Sequence, residues 1–206
     1  MGVAQDERRL LSELFAEVGP DAPTLCDPWR TRDLAAHLVL RERRPDAAAG
    51  ILVKPLAGHT RKVQDAYAAK PWDELVALVR TGPPKWSPYV LLDELVNSVE
   101  YFVHHEDVRR AAADWRPRSP DPVRDAALWS GLRRVGKLTY RSSPVGVVLR
   151  RPDGESVTVK AGSNPVVLTG QVSELVLHAF GRERVEVEFD GDPDAVAAVE
   201  NVNRSL

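Results

Sequence analysis

The chain has a single cysteine, Cys26, so no disulfide can close within it and no cysteine cluster can hold zinc. It also lacks an excess of charge: 28% of its 206 residues are charged, yet the net charge is only −2. No block of like charge is long enough to track phosphates, which argues against a nucleic-acid partner. No apolar run approaches the roughly 20 residues that a spanning helix needs. The first nine residues are polar rather than signal-like. The expectation is a cytoplasmic protein with neither membrane nor nucleic acid as partner. What is present is 43% hydrophobic residues, enough to build one domain of ordinary size and a smaller one. Arginine dominates the basic residues and alanine is abundant, a composition associated with GC-rich bacterial genomes.

Apolar spacing predicts helices over Asp6 to Val18, where Gly19-Pro20 stops the pattern, and over Arg32 to Arg43, with Thr31 as N-cap and Asp33 as a first-turn charge. Two short helices, Ala47 to Val53 and Lys62 to Ala69, flank Pro55 and Gly58. Pro71 suits the first position of a helix running through Arg80. A long helix opens at Ser87-Pro88 and runs to about Ala113, followed by one over Pro122 to Leu138 that buries Val123, Ala126, Ala127, Leu132 and Val135. After about Tyr140 the period changes from 3.6 to 2, which sets the expected domain boundary: a helical domain 1–140 and a small domain 141–206. The tail reads β-β-α-β-α: strands Val145 to Arg150 and Ser156 to Lys160 around Pro152-Asp153-Gly154, and a helix Gln171 to Phe180 closed by Gly181. The strand Val185 to Phe189 and a helix capped by Asp192-Pro193 complete it. Val166 to Thr169 is a candidate additional strand.

Within the long helix, Glu100 and His104 are four residues apart, so they lie roughly 40° apart on one face, with Asp107 on the same face. Leu92, Leu95, Val96, Val99 and Val103 mark the core stripe, and Glu100 sits on its shoulder. A carboxylate there needs a positive partner, which is either a cation or an arginine such as Arg41. His37 points along the edge of the buried face of the second helix, as a ligand or as a hydrogen-bonded core histidine. Together His37, Glu100 and His104 form a two-nitrogen, one-oxygen set with a coordination position to spare, the pattern of a catalytic rather than a structural zinc site. Zinc suits that set first, with nickel, iron or manganese as alternatives. Asp107 could orient a ligand from behind. Cys26 reads as a small buried hydrophobe or a reactive thiol, and His59 as a solvated or pocket-lining residue. His178 reads as structural.

Trp29-Arg30-Thr31-Arg32-Asp33-Leu34-Ala35-Ala36-His37-Leu38 resembles the Trp-Thr-x-x-Asp-Leu-x-x-His-Leu motif of the actinobacterial DinB-like, mycothiol-dependent maleylpyruvate isomerase superfamily. Glu100-x-x-x-His104-x-x-Asp107 resembles its second metal motif. The run from Thr169-Gly170 to Phe180-Gly181-Arg182 resembles its C-terminal segment. The resemblance implies an α+β protein: an N-terminal DinB-type four-helix bundle holding a divalent metal through His37, Glu100 and His104, with the small α/β domain over the site. It implies mycothiol as thiol cosubstrate and Arg182 as the catalytic arginine. His105-Glu106 stand where the family has an aromatic residue before the aspartate, and the chain is shorter than the isomerase.

The functional expectation is a divalent-metal-dependent, thiol-dependent transferase or isomerase acting on a small electrophile. The alternative is a metal-containing module that binds or senses a thiol or anion without chemistry.

Overall fold

The computed structural model describes residues 2–51, 53–84 and 97–204. They form an α+β chain of two compact units, Met1–Trp115 and Arg116–Leu206.

The first unit is helical: α1 (Val3–Val18), α2 (Thr31–Arg43), the single turn α3 (Pro45–Ala48), α4 (Ala57–Ala68), α5 (Trp72–Thr81) and α6 (Ser98–Arg109). Helix α1 packs on α5 and α6, and α2 on α4 and α5. Helical spacing supplies the contacts: Leu11 and Phe15 of α1, Leu34 and Leu38 of α2, Leu75 and Val79 of α5, and Tyr101 and Val108 of α6 share one core. Each large apolar side chain buried there contributes roughly 1.5–3 kcal/mol, which holds the helices together without any disulfide. The α1 helix ends where Gly19 takes φ +79° and its N–H bonds the Phe15 carbonyl.

Several local details differ from expectation. Thr31 is the first helical residue rather than the cap; its Oγ1 donates to the Gly19 carbonyl at 2.6 Å. The capping is done from three residues on, where the Asp33 carboxylate accepts the Arg30 backbone N–H at 2.9 Å. Pro71 is an N-cap, not the first helical residue. The segment around Pro55 forms 3₁₀ turns at Ala49–Ile51 and Lys54–Leu56, and the following helix starts early enough to include Gly58 and His59. The expected helix opening at Ser87-Pro88 and the stripe residues Leu92, Leu95 and Val96 lie outside the described residues.

The second unit contains α7 (Pro122–Thr139), β1 (Val147–Arg150), β2 (Ser156–Lys160), β3 (Val166–Thr169), α8 (Val172–Ala179), β4 (Glu188–Asp190) and α9 (Pro193–Glu200). The sheet order is β2-β1-β3-β4, with β1 antiparallel to β2 and parallel to β3, and β3 antiparallel to β4. The candidate strand Val166–Thr169 is therefore a central one, and the observed order is β-β-β-α-β-α. Val147, Leu149, Val166 and Leu168 alternate into the buried face. β4 is shorter than the alternation of Val185 to Phe189 suggests, because the Glu186 N–H is taken by the Glu174 carboxylate at 3.0 Å instead of a strand neighbour.

Helix α7 packs on α8 and β2 and so lies in the second compact unit, which begins at Arg116. Gly136 permits the close approach to the sheet: a Cβ there would stand 2.6 Å from Val159 Cγ1. The change of period marks where the strands begin, not which core the preceding helix joins. Val123, expected inside, is 71% exposed at the first turn of α7.

Candidate metal centre

Helices α2 and α6 bring His37, Glu100 and His104 together. Their donor atoms all lie within 4.8 Å of one another. Glu100 Oε1 stands 3.8 Å from His37 Nε2 and 3.3 Å from His104 Nε2. Ligands at the usual 2.0–2.2 Å from a tetrahedral zinc are separated by roughly 3.4 Å, and the two carboxylate–imidazole separations lie within about half an ångström of that. Both imidazoles are buried, and the partly exposed Glu100 carboxylate marks the side open to solvent. Trp29 packs on His37 with ring centroids 5.0 Å apart, and the His37 and His104 rings meet edge to face at 5.7 Å.

The electrostatics follow from that convergence. Burial raises the cost of charging Glu100, but hydrogen bonds from His104 and His37 and the nearby Arg41 charge outweigh it, and its carboxyl sits well below the usual range. Burial likewise opposes a charged His104, yet bonds to Asp107, Cys26 and Glu100 prevail and push it well above an ordinary imidazole. For His37 burial wins, only partly offset by Glu100, with the His104 and Arg41 charges adding to the lowering. Without a metal, then, Glu100 is an anion with His104 as its closest cation.

Behind the trio, Asp107 is fully buried and its Oδ2 lies 3.0 Å from His104 Nδ1. Cys26 Sγ donates to the same oxygen at 3.0 Å and stands 3.9 Å from Nδ1. Cys26 is thus neither an inert hydrophobe nor remote from the site. No local signal announces this contact, which spans 81 residues of sequence. On the other flank, Arg41 Nε is 3.4 Å from Glu100 Oε1 and its Nη1 donates to Asn97 Oδ1 at 2.5 Å. The arginine considered as an alternative partner for Glu100 is present beside the histidines, not instead of them. Asn97 also donates to Glu42, which takes Arg8 at 2.5 Å.

His105 and Glu106, next to His104 in sequence, are engaged away from the trio. His105 Nδ1 is 2.8 Å from the Glu7 carboxylate, and Glu106 accepts from Arg109 and Arg110 at 2.7 and 2.6 Å. His59 is exposed and pairs with Asp46 at 2.9 Å. Arg182 follows Gly181, whose φ of +80° ends α8, and donates to the Phe180 carbonyl at 2.6 Å in the second unit.

These features define a helical unit able to hold a dication through two imidazoles and a carboxylate, followed in the chain by a small mixed-sheet unit. The α+β fold is similar to that of the mycothiol-dependent maleylpyruvate isomerase. Its crystal structure matches with a TM-score of 0.56 over 91% of this chain and 90% of that one, at 15% identity. A histidine-to-alanine mutant of the isomerase matches at 16% identity with the same TM-score and coverage. No protein-family model matches the sequence, and no curated protein matches it. Among the described residues no helix is long and apolar enough to cross a membrane.

Proposed function

We propose that this protein is a divalent-metal-dependent enzyme using a low-molecular-weight thiol, mycothiol, as cosubstrate for isomerisation or S-transfer on a small electrophile. The observation that carries the reading is the convergence of His37 Nε2, Glu100 Oε1 and His104 Nε2, on a fold shared with an isomerase described as mycothiol-dependent. Zinc suits the donor set first; nickel, iron or manganese are the alternatives.

When bound, the dication supplies Lewis acidity and favours the thiolate of a thiol that reaches it. The chain's own groups do the rest. His37 and His104 contribute neutral nitrogens from two helices, so the pair is rigid. Glu100 offsets part of the positive charge, and three protein ligands leave one position for an exchangeable group. Arg41 keeps the carboxylate oriented. We assign Arg182 the role of holding a carboxylate or oxyanion of the electrophile, a task for which a guanidinium fork is suited. In this reading the helical unit is a DinB-type four-helix bundle, and the protein works in the cytoplasm, where thiols are kept reduced.

The test is to purify the protein without an affinity tag, measure its metal content, and follow consumption of a thiol together with a maleyl electrophile. Thiol consumption or isomerisation that requires metal supports the proposal. Saturable thiol binding without turnover would make it a binding module, and absence of metal after reconstitution would remove the premise.

A further inference from the structure

The loop between α1 and α2 carries Cys26 to the face of α6 that bears His104 and Asp107. It is tied there by backbone as well as side chain. The Leu25 N–H donates to the Asp107 carbonyl at 3.0 Å, the Cys26 N–H to Thr24 Oγ1 at 3.1 Å, and Thr24 Oγ1 to the Trp29 carbonyl at 2.8 Å. The Cys26 thiol is therefore held in place while it donates to Asp107 Oδ2. That oxygen also faces His104 Nδ1, and His104 Nε2 faces Glu100.

We propose that Cys26 is a positioning residue of the candidate metal centre: its thiol holds Asp107 Oδ2, Asp107 holds the His104 Nδ1–H, and the Nε2 lone pair is thereby presented alongside His37 and Glu100. The inference rests on the metal reading above and adds to it a support reaching from a loop on the far side of the ligand. Which ring nitrogen is free to coordinate is set by the bond made by the other, and such supporting partners commonly matter 10–100-fold in metal affinity. A thiol suits the position. As a weak donor it fixes the carboxylate while withdrawing little charge from the Asp107–His104 bond. The same three side chains are also close enough to hold a cation themselves. That would require Nδ1 without its proton, so for a neutral ring the two arrangements exclude each other.

The experiment uses the full chain with Co²⁺ as probe. Co²⁺ affinity is measured by chelator competition, the visible spectrum is recorded, and the ¹⁵N shifts of the His104 ring are read in the metal-free protein at alkaline pH, where the ring is neutral. The variants are Cys26→Ser, Cys26→Ala and Asp107→Asn. Expected are a loss of about 10–100-fold for Asp107→Asn, about 3–10-fold for Cys26→Ala, and near wild-type affinity for Cys26→Ser, which keeps a donor. The Cys26→Ala ring should show a mixed tautomer, whereas wild type and Cys26→Ser keep the proton on Nδ1. Wild-type affinity and an unchanged tautomer in Cys26→Ala would overturn the proposal. So would a thiolate-to-cobalt band in the wild type that Cys26→Ala abolishes, since Cys26 would then be a ligand. Failure of the wild type to take up Co²⁺ would strike at the metal centre, and the metal-free ring shifts would still decide the role of Cys26.

Discussion

His104 in the helical unit and His178 in the α/β unit are both buried imidazoles, yet their surroundings drive them in opposite directions. His104 is flanked by Asp107, Cys26 and Glu100, and it holds its proton well above the usual pH. His178 meets Tyr140, whose hydroxyl lies 2.6 Å from Nδ1, and Phe189, whose ring is 5.4 Å away. Burial, together with the Arg204 charge, lowers it to about 3. The Tyr140 O–H can donate to a neutral ring and not to a charged one. A buried histidine is therefore a candidate ligand or a core filler according to its acceptors, and burial alone does not decide which. The helical unit has the acceptors because its interior encloses hydrogen-bonded acid–base pairs, Glu7–His105, Arg8–Glu42 and Glu106–Arg110 among them.

The strongest way to break the contrast is to remove a candidate ligand. Glu100→Gln or His104→Ala should lower metal affinity by about a hundredfold or more, because two donors cannot complete the site. His178→Gln should leave it unchanged; metal content after dialysis is the measurement. If the Glu100 and His104 variants keep a full equivalent, the assignment fails.

Next in size is a pair of opposite pH dependences. His178 has a folded pKa near 3 against an ordinary 6.5. The unfolded chain therefore binds the extra proton as pH falls below 6.5, and the α/β unit loses stability down to about pH 3, by roughly 4–5 kcal/mol at most from this residue. His178→Gln, which retains an acceptor for Tyr140, should flatten that slope in denaturant titrations. His104 is shifted upward, so its contribution to the metal-free helical unit is complete below pH 6.5 and is lost as pH rises through its raised pKa. A common slope in both units would refute the contrast.

Arg182→Ala is expected to leave metal content intact and depress turnover about tenfold or more, in steady-state assays with a thiol and electrophile. Loss of metal in that variant would contradict the division of roles. The smallest effect sharpens the local picture of α2: Asp33→Ala, which removes the bond to the Arg30 N–H, should cost about 1 kcal/mol in thermal or denaturant unfolding.

Much of this was legible in the residues. The period of Leu34, Leu38 and the α6 segment puts His37, Glu100 and His104 at the edges of the buried helix faces, and the residue pattern gives the β2 and β3 strands the bounds they have. Other features were not legible, for physical reasons that differ. Thr31 looked like a cap, but Asp33 supplies the acceptor one turn in, and a side chain can reach back as well as forward. The membership of α7 depends on Gly136 meeting Val159, a matter of close approach rather than pattern. Cys26 gave no signal because a lone thiol has no periodicity.

By itself the amino-acid order determined what short-range geometry determines: four-residue spacing puts Glu100 and His104 on one helical face, and alternation makes strands. Only tertiary packing decided that His37 of α2 reaches the same carboxylate, that Cys26 lies behind His104, and that His105 is occupied by Glu7. Side chains dozens of residues apart meet only where buried apolar stripes set the distance between helices. The interior then demands a partner for every charge it encloses.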